Sequence, residues 1–147
     1  MILPFESYLA DGKAEKHSLD KNRASSLIKK AKKRIKFLRE ITEESADIVF
    51  EDIYEAIREA SQALMSIQGY KPLSHESLIA FLRDKENFDN LIIHKFDSYR
   101  KLRNKSIYEA EKISLEKAKE ILEFAKKFIK RINLRIEPTL HQFSKDY

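Results

Sequence analysis

From Ser18 to Ile41 the apolar residues Ala24, Leu27, Ile28, Ala31, Ile35, Leu38 and Ile41 recur three and four apart. That spacing lines one face of an α-helix. The positions between them, Lys29, Lys30, Lys32, Lys33, Lys36 and Arg39, make the other face basic. A second stripe carries Ala46, Val49, Ile53, Ala56, Ile57, Ala60, Leu64 and Ile67 inward. Thr42 is placed to cap its start, Glu43 and Glu44 suit its first turn, and Gly69 stops it. Its outer face is acidic, through Glu44, Asp47, Glu51, Asp52, Glu55 and Glu59. A basic face alone would suit a polyanion. An acidic helix following at once makes a solvated rim, partly paired with its antiparallel neighbour, the simpler expectation.

Lys71 and Pro72 mark a turn, and Ser74 caps a short helix to about Arg83. The triplet Asn87, Phe88, Asp89 breaks the pattern, and a long helix runs from about Asn90 to Glu111. Ser114 caps a last helix bearing Leu115, Ala118, Ile121, Leu122, Ala125, Phe128, Ile129 and Ile132, with Pro138 expected to end it. Residues 1–17 show no sustained period and read as a loosely attached lead-in, and residues 137–147 as a frayed tail. No repeat of solenoid length recurs. The expected fold is all-α: an antiparallel four-helix-type bundle over residues 18–136 with one additional short helix.

Composition agrees with that reading. Of 147 residues 36% are charged, while Gly 2 and Pro 3 leave little turn chemistry. The absence of cysteine excludes a disulfide scaffold and thiol chemistry and suits a reducing cytosol. Abundant Lys and Glu with scarce Gln lean toward a thermophilic source. No run nears the roughly 20 apolar residues that span a bilayer, and the stretch MILPFESYLADGKAEKH lacks the layout of a signal peptide. A soluble, cytoplasmic protein without a membrane partner is expected. The net charge of +5 permits an anionic partner without requiring one. No phosphate loop, nucleophile elbow, His-x-x-x-His or Glu-x-x-His spacing occurs, so no metal or cofactor is expected.

One position breaks the stripe. On a wheel of about 100° per residue with Phe96 at zero, Ile92 and Ala110 fall near −40°, Tyr99 near −60° and Ile107 near +20°. Arg103 falls in the middle of this apolar arc, at about −20°. Asn104 and Tyr108 occupy its shoulder, with Arg100 and Glu111 close by. A guanidinium stays protonated, so Arg103 must meet an acidic residue, a watery opening or an anion such as phosphate.

The stretch LRNKSIYEAEKIS, from Leu102 to Ser114, resembles the signature of HEPN domains (higher eukaryotes and prokaryotes nucleotide-binding). So does the order of features: a helix pair, ALMSIQGYKPLSHESLIAFL, a long helix with an Arg-Asn pair, then SLEKAKE opening the last helix. The likeness covers about residues 20–134 and implies an antiparallel helical bundle. It also implies a homodimer whose signature helices meet around a shared cleft. Some such proteins form toxin–antitoxin-type pairs with a small nucleotidyltransferase. Carried over, Arg100, Arg103, Asn104 and Tyr108 would bind RNA or a nucleotide.

Catalytic members cut RNA without metal, using an arginine and a histidine a short gap later; here Arg103 and Tyr108 stand at those positions. A phenol with an ordinary pKa of about 10 is a poor base at neutral pH, and His141, the only later histidine, lies in the tail. Three readings follow: a binding domain, a metal-independent endoribonuclease using Arg103 and Tyr108, and a non-catalytic interaction bundle. His75, in PLSHES, is expected to be a structural hydrogen-bonder rather than a catalyst.

Overall fold

Helix α3 (Ala46–Gln68) buries most of its circumference, with Val49, Phe50, Ile53, Tyr54, Ile57 and Leu64 all buried, and leaves a polar edge through Asp47 and Glu51 exposed. A helix of that kind has to be surrounded, and the chain surrounds it. In the computed structural model, which describes residues 1–141, α3 packs along α2 (Lys21–Lys36) and α6 (Leu115–Leu140). It also contacts α4 (His75–Asp84) and α5 (Asn90–Tyr108). A short helix α1 (Phe5–Ala10) and a two-stranded antiparallel sheet, β1 (Ala14–Lys16) with β2 (Tyr70–Pro72), complete the described chain. The fold is mostly all-α, with six helices among the described residues.

Helix starts are fixed by side-chain caps. Asp20, Ser74, Asp89 and Ser114 each accept the backbone N–H three residues on, at 2.9–3.1 Å. Thr42 caps one turn earlier than expected: its hydroxyl accepts the Ser45 N–H at 3.1 Å, in a turn leading into α3. Gly69 ends α3 with φ +80°, and an added Cβ would lie 2.8 Å from the His17 carbonyl oxygen. Both the backbone conformation and the space exclude a side chain there.

The lead-in is the main correction. Residues 1–17 are not loosely attached, because Phe5 and Tyr8 are buried. The Phe5 ring packs edge-on against Tyr70 and Phe81, at 5.2 and 5.6 Å. The Phe5 N–H donates to the Asp84 carboxylate (2.8 Å), and Arg83 donates to the carbonyls of Ile2 and Leu3 (3.1 and 2.8 Å). A six-residue helix and a three-residue strand are too short to show a period.

Boundaries also shift. Helix α2 stops at Lys36, although Leu38 and Ile41 still pack on the core. Helix α5 ends at Tyr108, not Glu111, in a turn where Ala110 takes φ +54° and the Glu111 N–H returns to the Lys105 carbonyl. Helix α6 continues through Pro138 to Leu140, so Pro138 does not stop it at once. Of the expected tail, residues 142–147 lie outside the described residues. The α2–α3 rims meet through one buried carboxylate: Glu59 takes Arg34 at 2.6 Å and Lys30 at 3.6 Å. Lys29, Lys32, Lys33 and Lys36 stay exposed.

The packing of α1 sets a direct expectation. Phe5→Ala empties a buried aromatic site and should lower stability by about 3–4 kcal/mol. Thermal unfolding followed by circular dichroism would then show a midpoint lower by about 10 °C; an unchanged midpoint would contradict the docked N-terminus.

Candidate functional site: a cationic junction of α3, α4 and α5

Tyr54 stands on the stripe of α3 that meets α5, its ring edge-on to Phe96 at 6.0 Å and wholly buried. Its hydroxyl lies 2.9 Å from Nδ1 of His75, the first residue of α4. A buried phenol must place its proton, and among the described residues Nδ1 is the acceptor at hand. The O–H therefore donates to Nδ1, and the neutral imidazole carries its own proton on Nε2. Burial pushes the Tyr54 phenol far above its ordinary range. Burial first, then the charges of Arg58 and Arg103, hold the His75 pKa below the usual histidine value. The N-terminus of α4 acts in the same direction. His75 thus ties α4 to α3 as a neutral ring.

Arg103 reaches this pair from α5. Its guanidinium carbon sits 5.6 Å from the centre of the Tyr54 ring. The Nε atom is sealed from solvent without a hydrogen-bond partner. Among the described residues no carboxylate forms an ion pair with it. The neighbouring cations are already answered. Arg58 grips Glu55, its Nε donating at 3.1 and 3.2 Å and its Nη2 at 2.7 Å. Arg100 holds Asp97 at 2.8 Å and Glu76 at 3.4 Å. Burial raises the Glu55 and Asp97 carboxyls, but their arginines outweigh it and keep both below the usual range. Of the three arginines only Arg103 has no carboxylate within ion-pair distance, although its charge helps to lower the Glu55 carboxyl. A sealed, unmatched N–H costs about 1–3 kcal/mol, and the contact with the Tyr54 face returns about 1 kcal/mol.

The other residues singled out in the sequence separate here. Asn104 is half-buried, and Tyr108, the last residue of α5, is 77% exposed. Neither makes a hydrogen bond or ring contact among the described residues. Arg100 is committed to its two carboxylates. The apolar arc is also shorter than the wheel implies. Phe96 and Tyr99 are buried, but Ile107 is exposed and Ala110 lies beyond the helix; past Tyr99, α5 buries no residue fully.

Sequence reasoning missed Tyr54, Glu55 and Arg58. Tyr54 reads as one more core aromatic, and nothing local marks its hydroxyl. Beside His75, Arg58 and Gln62 line a small polar cleft of about 240 Å³. No three of His, Asp and Glu are gathered as metal ligands among the described residues.

No protein-family model matches this chain, and a search of curated proteins finds no relative. No described helix is long and apolar enough to cross a membrane.

The neutral His75 gives a signed pH dependence. An unfolded histidine titrates near ~6.5, and the folded one lower. The unfolded chain therefore binds the proton first, so stability held above about pH 6.5 is lost as pH falls through that value. Melting curves at neutral and mildly acidic pH should show a larger loss for the wild type than for His75→Asn; equal losses would contradict the assignment.

Proposed function

We propose that the protein is a nucleotide- or RNA-binding helical domain of the HEPN type, with Arg103 as the cation that receives a phosphate. The observation that carries this reading is the unanswered guanidinium, half-buried against Tyr54 between two arginines already paired. A purely structural arginine at this depth is expected to hold a carboxylate, and a phosphate oxygen is the acceptor that suits its fork best. Asn104 and Tyr108, on the outer shoulder of the same helix, are an amide and a phenol that a longer ligand could reach from Arg103. Binding rather than cleavage is what the geometry supports. The imidazole at this junction, His75, already has its Nδ1 engaged by the Tyr54 hydroxyl, which leaves it poorly placed as a base. The resemblance adds a homodimer and a nucleotidyltransferase partner, as in a toxin–antitoxin-type pair, to the proposal.

The test uses a single-stranded RNA oligonucleotide and ATP as probes. Arg103→Leu should weaken binding at least about tenfold and flatten the salt dependence by about one unit of slope. The same substitution completes the apolar arc, so stability should hold or rise by about 1 kcal/mol. Unchanged affinity for both probes would refute the proposal. So would a stability loss of about 3 kcal/mol or more, as expected for a broken buried ion pair.

A further inference from the structure

The pairing of the α2 and α3 rims engages only one side of α2. Lys30 and Arg34 turn to Glu59 of α3. Lys29, Lys32, Lys33 and Lys36 lie elsewhere, within an arc of about 100° on the solvent side. All four are exposed, and none forms an ion pair or hydrogen bond among the described residues. From Lys21 to Lys36 the helix carries no acidic residue. Nothing within α2 therefore balances this stripe.

Helix α6 extends the charge sideways. Asn22 and Ser25, at the start of α2, share a cleft with Thr139 and Leu140, at the end of α6, so the two packed helices run antiparallel. Phe124 of α6 meets Tyr99 of α5. Lys126 stands about 160° round the helix from Phe124, on the flank toward α2, and Lys130 follows one turn on. Both are exposed and without an ion pair among the described residues. Glu123 borders this flank, so the positive charge gathers toward α2.

An aromatic ring ends the stripe. Phe37, the residue after α2, is 72% exposed, and its ring is met by Lys36, whose ammonium sits 5.5 Å from the ring centre. A row of ammonium groups suits a row of phosphates, and a ring open to solvent suits an unpaired base. An anionic membrane would answer the lysines as well. Helix α2, however, buries its apolar stripe in the core through Ala24, Ile28 and Ala31. It offers a bilayer little besides Phe37.

We infer that the outer face of α2, with Lys126 and Lys130 of α6, binds single-stranded RNA, the lysines meeting its phosphates and Phe37 stacking on a base. The inference takes the kind of polymer from the proposed function. The surface lies on other helices than Arg103, and either site can hold without the other.

Anisotropy titrations of the full chain with a labelled oligouridylate over a range of salt concentrations test it, with circular dichroism confirming that each variant folds. The substituted positions are exposed, so folding should be unaffected. Lys29→Gln, Lys32→Gln and Lys33→Gln together should weaken binding at least about tenfold and flatten log affinity against log salt by about two units. Phe37→Ala should weaken binding about tenfold with the slope unchanged, since a stacked base contributes no charge. Oligouridylate bound by the triple variant as by the wild type, or Phe37→Ala without effect, would overturn the inference. So would lysine-dependent binding to phosphatidylserine vesicles by a protein that ignores oligouridylate. Binding lost in Arg103→Leu but kept in the triple variant would overturn this surface and leave the proposed function standing. The converse would uphold the surface and refute the Arg103 site.

Discussion

Helix α3 gives only a narrow acidic edge to water, and the rest of the molecule follows from that constraint. Its buried side chains run from Ala46 to Ile67, so five other elements must lie against it. Any polar group on α3 that points into the packing must find a partner within the fold. Glu59 finds Arg34 and Lys30, Ser61 returns its hydroxyl to the Ile57 carbonyl at 2.8 Å, and Tyr54 hydrogen-bonds His75 through its hydroxyl. These ties also orient the surrounding helices: the first holds α2, and the last fixes the start of α4. Arg103 departs from the rule, since it reaches the same interior from α5 and leaves a donor unmatched.

A departure of that kind carries information because all around it the rule is obeyed. Arg58 and Arg100 lie in the same region and have carboxylates in good geometry. Acids are therefore present there, yet none lies within ion-pair distance of Arg103. Leucine at this position would complete the arc of Phe96 and Tyr99 without an unmet donor. Sites that bind ligands commonly retain such locally unfavourable groups.

Much of the fold was legible in the chain because long amphipathic helices announce themselves. The stripes of α2, α3 and α6, the stop at Gly69 and the caps at Ser74 and Ser114 all rest on local chemistry that tertiary packing did not override. The N-terminus was not legible, since Phe5 is held by Tyr70, Phe81 and Asp84, partners more than sixty residues away. The site was legible by half. A helical wheel isolates Arg103, because that judgement concerns one helix. It cannot bring Tyr54 and His75 to it, since their meeting depends on how α3, α4 and α5 cross. Nor can it show that the end of α5 leaves Tyr108 in solvent and Ile107 exposed.

The narrow anchoring of α5 explains why it can carry the candidate site. Over nineteen residues α5 buries only Ile93, Phe96 and Tyr99, whereas α3 buries most of its length. Past Tyr99, whose hydroxyl is bonded to Glu120, no residue of the helix is fully buried. A long cationic side chain placed there can lay its guanidinium against the Tyr54 ring while the neighbouring Tyr108 stays in solvent. The same charge one turn earlier, at Tyr99, would have to enter the core, where an unmatched donor costs most.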